Sequence, residues 1–281
     1  MSPPSSEAGA PATGPGRPSR DPRAPVGVFD SGVGGLSVLR HIRKLLPSEH
    51  LFYVADSAQV PYGPKGADFV RARALHIAEF LLDQGAKALV VACNAATAAA
   101  VATLRERHPW PVVGVEPALK PAAARSSGVV AVLSTELTLG SEKFGNLLGR
   151  WGSSVEVLVT PCPGWVALVE QGELKGERAR ELVQRQLAPL LRQGVDTFVL
   201  GCTHYPFLTP VIREVVGPGA AILETGEAVA RQLKRRLTAE GLLSPSEELG
   251  REAFFTSGDP SAVEAVVRRL WGEGARVEHF A

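Results

Sequence analysis

From Val26 onward, short apolar runs alternate along the chain with longer amphipathic stretches. The runs are VGVF (26–29), LFYV (51–54), ALVVA (88–92) and VVGV (112–115), then VVAVL (129–133), VEVLV (155–159), TFVL (197–200) and AIL (221–223). Between them, stretches such as 34–46, 67–85 and 177–194 place apolar residues three and four positions apart, as amphipathic helices do. Continuous apolar strands separated by helices predict an α/β fold with parallel sheets buried on both faces.

The two groups of strands resemble two copies of one unit. GAKALVVACNAAT (85–97) aligns with GVDTFVLGCTHYP (194–206), because each gives a glycine, a strand, a small residue and a cysteine. Two further matches repeat nearly the same offset in the same order: Asp30 with Ser134, and Glu116 with Glu224. Repeated offsets indicate an internal duplication, so we expect two similar α/β domains that face each other across a central cleft.

The ends of the chain do not belong to this duplication. Residues 1–25 are rich in Pro, Gly, Ser and Ala and are predicted to be a disordered tail. The C-terminal strand, helix and strand have no duplicate, so we expect them to return to the first copy. The predicted first domain is therefore 26–117 plus 226–281, and the predicted second domain is 118–225.

Composition narrows the class of protein. The chain has 281 residues, 45% hydrophobic and 21% charged residues, and a formal net charge of +1. Without a basic or acidic excess, nucleic acid and anionic membranes are not expected partners, and a small molecule is. No apolar run approaches the roughly 18–20 residues that span a bilayer. Three cysteines in a chain of this length are not a secreted disulfide framework, so we expect a cytoplasmic protein with free thiols.

The polar residues of interest follow predicted strands. In open parallel α/β sheets, ligands bind beyond the carboxyl ends of the strands, and two facing copies would bring those ends to one cleft. The residues are Asp30, Ser31, Asp56, Ser57, Cys93 and Asn94 in the first half, and Ser134, Thr135, Thr138, Cys202, Thr203 and His204 in the second. The predicted cleft therefore presents one thiol from each side.

Several roles are open to the three cysteines. A cysteine is most often a small buried core residue, and Cys162, enclosed between two prolines, keeps that interpretation. A zinc site would need C-x-x-C or H-x-x-x-H spacing, which the chain lacks. A structural disulfide is disfavoured in the cytosol, and redox pairs usually sit close in sequence. The matched positions of Cys93 and Cys202 favour a catalytic role instead.

Two thiols across a cleft suit the inversion of a carbon centre, since one group removes a proton from one face while the other returns one to the opposite face. A free thiol has a pKa of about 8.5, so thiolate formation at neutral pH needs a nearby base and a helix N-terminus. Both Cys93 and Cys202 are predicted to lie just ahead of a helix. Asp30 is predicted to assist Cys93, and His204 to assist Cys202, although a lone histidine is as often an ordinary polar residue.

Two loops each have two interpretations. DSGVGGLSVL (30–39) lacks a full G-x-G-x-x-G and any G-K-[ST], so it is a tight strand-to-helix turn, a carboxylate site built from backbone N–H groups and Ser31, or both. PYGPKG (61–66), with Tyr62 at its centre, is either a surface turn or a lid over the cleft.

Six blocks in a fixed order resemble a known family. They are DSGVGGLSVLRHIRKLLP, YVADSAQVPYG, VVACNAATAAA, LVEQGE, LGCTHYP and FFTSGDP. Together they resemble the glutamate racemases of the cofactor-independent aspartate/glutamate racemase superfamily, over nearly everything from Val26 to the end. The resemblance implies interconversion of L- and D-glutamate, a supply of D-glutamate for peptidoglycan, no pyridoxal phosphate, no metal and a homodimer.

The resemblance also implies roles for individual residues. Cys93 would act on D-glutamate and Cys202 on L-glutamate, and Asp30 and His204 would tune those thiols. Glu170 matches an acidic residue near the second thiol, with an ordinary helix-surface glutamate as the alternative. The implied substrate contacts are Asp30, Ser31, Pro61, Tyr62, Gly63, Cys93, Asn94, Ala95, Thr135, Thr138, Glu170, Cys202, Thr203 and His204.

The chain departs from the family pattern at a few positions. Ala95 stands where the family usually has threonine, so a hydroxyl that helps to bind a carboxylate is absent, and Thr97 is not expected to replace it. Ala55 and Glu224 are milder changes. The departure at Ala95 motivates a second hypothesis, a racemase of another acidic amino acid, such as aspartate, or of a hydantoin. A third hypothesis is a non-catalytic ligand-binding or regulatory relative that kept the cleft. Retention of both cysteines speaks against the latter.

Overall fold

The computed structural model describes residues 19–126, 128–152 and 155–280. This part of the chain contains two parallel β-sheets with helices between their strands, as predicted. The strands are β1 (Val26–Asp30), β2 (Leu51–Ala55), β3 (Ala88–Val91), β4 (Val112–Gly114), β5 (Val129–Ser134), β6 (Glu156–Pro161), β7 (Val195–Leu200), β8 (Ala221–Leu223), β9 (Glu252–Thr256) and β10 (Val277–His279).

The two sheets share one strand order. In the described residues, one sheet runs β10-β9-β2-β1-β3-β4 and the other runs β6-β5-β7-β8, with every pairing parallel. The segment β2-β1-β3-β4 therefore matches β6-β5-β7-β8 strand for strand, in support of the duplication. The C-terminal strands β9 and β10 extend the first sheet beyond β2. The domain boundaries at 117/118 and 225/226 stay predictions.

The helices lie close to the predicted amphipathic stretches. They are α1 (Leu36–Leu45), α2 (Ala67–Asp83), α3 (Asn94–Arg107), α4 (Leu119–Ala123), α5 (Glu136–Leu139), α6 (Glu142–Trp151), α7 (Trp165–Glu170), α8 (Glu177–Arg192), α9 (Thr209–Val216), α10 (Gly226–Ala239) and α11 (Pro260–Leu270). Asp259 caps α11 by accepting the backbone N–H of Ser261, with Pro260 at the first helical position. Both α2 and α8 end before the duplicated glycines, Gly85 and Gly194, which take positive φ angles of 78° and 77°.

The edge strand β6 differs from the prediction of sheets buried on both faces. In β6, Glu156 is exposed and the Val159 side chain is 39% exposed. The matching strand of the first sheet, β2, is almost entirely buried. The reason is position, because β2 has β1 and β9 as neighbours, whereas β6 is an edge strand paired only with β5 among the described residues.

Residues 1–18 of the predicted disordered tail, residues 1–25, lie outside the described residues. Its last part is bound to the fold: the backbone N–H of Ser19 donates to Ala86 O at 3.3 Å, and Lys87 N donates to Pro25 O at 2.9 Å. The buried ammonium of Lys87 also donates to the carbonyl of Pro22. Residues 19–25 therefore belong to the folded part of the chain. None of the helices in the described ranges is both long and apolar enough to cross a membrane.

Candidate active site

Strand ends of the two sheets meet at one place. Asp30 ends β1, Cys93 follows β3, and Cys202 follows β7. The Thr203 hydroxyl, from the second sheet, donates to Asp30 Oδ2 at 3.1 Å. The Ser37 hydroxyl, from helix α1 of the first half, donates to Thr203 O at 2.7 Å. These bonds hold the two sets of strand ends against each other.

A small pocket lies at this junction, with about 300 Å³ of free space including its mouth. Its lining comes from both sheets and includes both matched thiols. The lining residues are Ser31, Pro61, Tyr62, Gly63, Cys93, Asn94, Ala95, Thr135, Val166, Cys202, Thr203 and His204. All of them except Val166 are residues that the sequence placed at the site. The other three implied substrate contacts, Asp30, Thr138 and Glu170, are not in this lining: Asp30 is fully buried, and Glu170 lines a wider cavity beside the pocket.

Cys93 is a buried thiol at the start of a helix. It is the N-cap residue of α3 and is 5% exposed. Burial raises the pKa of Cys93 well above its ordinary value, the negative charge of Asp30 raises it further, and the backbone N–H of Ala96 partly opposes them. Its Sγ lies 3.9 Å from Ser31 Oγ, within reach of a thiol donor. Both burial and the charge of Asp30 thus favour the neutral thiol form of Cys93.

Cys202 belongs to a chain of three side chains. Its Sγ lies 3.7 Å from Nδ1 of His204, and Nε2 of His204 lies 2.6 Å from Oε1 of Glu170. Burial alone would lower the pKa of His204, but its bonds to Cys202 and Glu170 and the charge of Asp30 outweigh burial and raise that pKa well above its ordinary value. The imidazolium is thus placed to stabilise negative charge on the sulfur of Cys202.

The prediction that both cysteines precede a helix holds in full only for Cys93. Asn94 begins a 14-residue α-helix, whereas Cys202 is followed by a turn and the short 3-10 helix Tyr205–Leu208. Pro206 accounts for the difference, because proline lacks the N–H that a regular helix interior needs. Positive charge next to the Cys202 sulfur therefore comes from the His204 side chain more than from the dipole of a helix.

Asp30 is fully buried and touches both halves. Its carboxylate accepts the backbone N–H groups of Ser31 at 2.7 Å and Gly35 at 2.6 Å, and Oδ2 lies 3.9 Å from Nδ1 of His204. Burial raises the pKa of Asp30, and the charge of His204 acts in the opposite direction. The sequence predicted that Asp30 assists Cys93, but the structure places it against the histidine of the second thiol as well.

The glycine-rich loop after β1 serves the protein's own carboxylates. Besides the bonds to Asp30, the backbone N–H of Val33 donates to Glu170 Oε1 at 2.8 Å. A Cβ atom at Gly32 would overlap the Glu170 carboxylate, and one at Gly34 would overlap the His204 ring. Glycine at these positions allows the close approach of the two halves. Ser31 is the residue of this loop that lines the pocket.

Asn94 and the two threonines complete the polar surface. In the described part of the chain, Nδ2 of Asn94 is buried and has no hydrogen-bond partner, so it is available to a ligand. The hydroxyl oxygens of Thr135 and Thr138 lie 3.2 Å apart, and Thr135 reaches the pocket. Thr97 is bound internally, because its hydroxyl donates to Val91 O and accepts from Val115 N. It does not replace the hydroxyl missing at Ala95.

Sequence reasoning missed several residues near the site. A wider cavity of about 1,080 Å³ adjoins the pocket and shares Pro61, Gly63, Thr135 and Val166 with it. Its other lining residues include Pro161, Cys162, Pro163, Gly164 and Ala167. The proline-rich PCPG segment was the available signal, and it was interpreted only as packing around Cys162. Arg73 and Ser257, which bind the Asp56 carboxylate, were also missed.

Two α/β units with matching strand order thus place one buried thiol each in a shared pocket. The sequence model of the family described as Asp/Glu/Hydantoin racemase matches residues 26–233, and the chain belongs to this family.

Relatives agree with this assignment. The chain is 54% identical over 260 residues to the glutamate racemase of Pseudomonas putida strain F1, covering 92% of this chain and 98% of that one. Among solved structures, it is similar to Thermus thermophilus glutamate racemase in complex with β-chloro-D-alanine, with 42% identity, a TM-score of 0.77 and coverage of 93% and 98%. It is also similar to Escherichia coli glutamate racemase in complex with L-glutamate and the activator UDP-MurNAc-Ala, with 32% identity, a TM-score of 0.81 and coverage of 92% and 98%.

Proposed function

We propose that this protein interconverts L- and D-glutamate without a cofactor, with Cys93 and Cys202 as the two acid/base groups. The observation that carries the proposal is that the two thiols, from different sheets, line one small pocket. The glutamate racemases to which the chain is similar support the choice of substrate.

The two thiols have unequal surroundings, which suggests their states at the start of the reaction. Cys93 is held as a thiol by burial and by the charge of Asp30. Nδ1 of His204 lies 3.7 Å from the sulfur of Cys202, so we assign His204 as the group that assists this thiol. In one direction Cys202 therefore takes the α-proton of L-glutamate while Cys93 gives its proton to the opposite face. The reverse reaction begins with the Cys93 thiolate and D-glutamate.

Negative charge develops on the α-carbon and its carboxylate as the proton leaves, so donors aimed at that carboxylate lower the barrier. The unpartnered amide nitrogen of Asn94 and the hydroxyls of Ser31, Thr135 and Thr203 are the available groups. Pro61, Tyr62, Gly63 and Ala95 shape the walls. We assign Asp30, Thr138 and Glu170 to the layer that positions these groups, since they do not line the pocket.

The wider role of the enzyme is part of the same proposal. D-glutamate is the product that we expect the protein to supply for peptidoglycan, as the resemblance implies. The described part of the chain contains Cys93, Cys162 and Cys202 as free thiols, which fits a reducing cytoplasm. We also expect a homodimer, and gel filtration with light scattering measures that directly.

The decisive experiment is incubation with pure L-glutamate in deuterated water, without added cofactor. We expect the optical rotation to decay to zero and deuterium to enter the α-position of the product. Cys93→Ser and Cys202→Ser should each abolish racemisation, with Cys162→Ser as the matched control that keeps it. Full activity in either pocket variant would refute the two-thiol assignment.

Ala95 gives a reason to test a second substrate class. It lines the pocket and lacks the hydroxyl that the family usually has, so the preference for glutamate over other acidic amino acids depends on the remaining donors. A panel of L-glutamate, L-aspartate and a hydantoin separates the candidates. Turnover of aspartate but not glutamate would overturn the proposed substrate, and no turnover of any of them would favour a non-catalytic relative.

A further inference from the structure

The loop that closes one side of the pocket is anchored at a buried carboxylate outside the pocket. Pro61, Tyr62 and Gly63 line the pocket, and Tyr62 is only 1% exposed. The Tyr62 hydroxyl donates to Asp56 Oδ2 at 2.6 Å. A side chain buried in this way fixes the loop, because moving the loop would pull both the ring and the hydroxyl out of their contacts.

Asp56 is in turn held from two further parts of the chain. Arg73, on α2, donates twice to it, from Nε to Oδ2 at 2.9 Å and from Nη2 to Oδ1 at 2.7 Å. Ser257, just after β9, donates its hydroxyl to Oδ1 at 2.6 Å. Such a paired arginine–carboxylate contact fixes orientation as well as distance. The carboxylate therefore ties the loop to α2 and to the C-terminal strands.

The electrostatics agree with a fixed, ionised carboxylate. Burial alone would raise the pKa of Asp56, but the hydrogen bonds from Arg73, Ser257 and Tyr62 outweigh burial and lower that pKa. Arg73 is also held from its other side, since its guanidinium lies 5.9 Å from the centre of the Phe280 ring. The C-terminal residues thus support the same contact.

The loop touches the other half of the molecule. A Cβ atom built on Gly63 would lie 3.3 Å from Cβ of Thr135, which follows β5 of the second sheet. The position of this loop therefore sets how closely the two sides of the pocket approach.

We propose that Arg73 and Ser257 are positioning residues for the reaction: through Asp56 and Tyr62 they hold loop 61–63 against Thr135 and so fix the shape of the substrate pocket. The inference rests on the proposed function of that pocket. Neither residue lines the pocket, so their effect is transmitted through Asp56.

The test compares Arg73→Met with Arg71→Met. Arg71 is on the same helix and also forms hydrogen bonds, to Asp68 and to Ala99 O, but none is to Asp56. We expect Arg73→Met and Tyr62→Phe each to raise KM for glutamate about tenfold or more, because small misplacements of positioning groups cost up to about 100-fold. KM of the double variant should be no higher than that of the more impaired single variant, since both substitutions break the same linkage. Arg71→Met should leave KM unchanged.

A second measurement does not depend on turnover. Cys93 and Cys202 are 5% and 8% exposed, so iodoacetamide should label them slowly in the wild type, as read by mass spectrometry. Arg73→Met should label both about tenfold faster, because a loosened loop opens locally more often and exposes the thiols. Ser257→Ala, a milder change, covers the case in which Arg73→Met does not fold, and it should shift KM and labelling in the same direction.

The outcomes separate the two proposals. A wild-type protein that does not racemise glutamate refutes the proposed function, and the labelling rates still decide whether the loop is held by Asp56. Folded Arg73→Met and Ser257→Ala proteins with the KM and labelling rates of Arg71→Met would overturn the positioning role. Additive effects of Arg73→Met and Tyr62→Phe would also overturn it.

Discussion

The Oε1 atom of Glu170 lies 2.6 Å from Nε2 of His204, and the same oxygen accepts the backbone N–H of Val33 at 2.8 Å. One carboxylate thus binds the histidine of the second thiol and the glycine-rich loop of the first sheet. This contact makes the charge on His204 depend on how the two halves meet. It also gives Glu170, whose sequence context left a surface role open, a buried partner.

Glu170→Gln should slow racemisation by about 100-fold in kcat/KM, within the range of acid/base catalysis, because an amide cannot hold the imidazolium as a carboxylate does. The two enantiomers have equal free energies, so kcat/KM must fall by the same factor in both directions. The difference between the two thiols should instead appear in isotope effects. Deuteration at the α-position should slow the turnover of L-glutamate more in the variant than in the wild type. Glu173→Gln, at an exposed residue paired with Arg178, is the matched control. Equal activities of the two variants would contradict the role of Glu170.

Gly34→Ala should lower activity about 100-fold, as misplaced catalytic groups do, because the added methyl overlaps the His204 ring. Gly145→Ala is the control: its Cβ meets nothing within 4 Å, and it lies inside α6, where alanine stabilises by about 0.5–1 kcal/mol. Steady-state kinetics and urea unfolding measure both effects. A Gly34→Ala protein with wild-type kinetics would show that the ring has room to move.

The strands and much of the pocket were predictable because their signals are local. Apolar runs mark the strands, and the residue after a parallel strand lies at the binding edge whatever the rest of the chain does. Cys93, Asn94, Cys202 and Thr203 were found in this way. The duplication then predicts that the two thiols lie on facing sheets.

What the sequence did not reveal depends on contacts between distant segments. Nothing near Arg73 indicates that it binds Asp56, because α2 is amphipathic with or without that pair. The exposure of β6 was missed for a similar reason, since an apolar run does not say whether another strand will lie beside it. The loop after β1 is predicted to be a tight turn, a carboxylate site, or both, and the pattern does not reveal that its N–H groups bind the protein's own Asp30 and Glu170.

Ala95→Thr should lower KM for glutamate. A charge-assisted hydrogen bond contributes about 1.5–3 kcal/mol, so we expect at least about a tenfold decrease if the restored hydroxyl reaches a substrate carboxylate. Ala95→Val is the matched control, because valine has the shape of threonine without the hydroxyl. Valine should leave KM unchanged or raise it. An equal decrease in both variants would mean that added bulk, and not the hydrogen bond, strengthens binding.

The charge of His204 predicts a pH dependence of stability. Its pKa is raised in the folded protein, so its contribution is fully present below the unfolded value of about 6.5 and is lost as the pH rises through the raised value. The unfolding free energy of the wild type should therefore exceed that of His204→Gln by more at pH 6 than at higher pH. Urea unfolding across this window measures the difference. A gap that widens as the pH rises would contradict an imidazolium held by Glu170.

A buried ion pair outside the pocket fixes the start of the folded chain. Lys87 is fully buried, its Nζ lies 2.5 Å from Glu49 Oε2, and Glu49 Oε1 accepts the backbone N–H of Ser244 at 2.8 Å. Lys87→Met should cost about 3–5 kcal/mol of unfolding free energy, because it leaves a buried carboxylate without its cation. Adding Glu49→Leu should recover part of that loss and not all of it, since the N–H of Ser244 then loses its acceptor.

Arg178→Met is the control for removing a cation from the surface. Arg178 and Glu173 are 64% and 40% exposed, so this pair is expected to contribute at most about 1 kcal/mol. Urea unfolding measures the stability of Lys87→Met, of Lys87→Met with Glu49→Leu, and of Arg178→Met. Their racemase activity at low temperature should be nearly unchanged, because neither ion pair lines the pocket. If Lys87→Met were as stable as Arg178→Met, the Glu49 carboxylate would have to bind a proton or water in place of the lysine ammonium. The pH dependence of unfolding would reveal the proton.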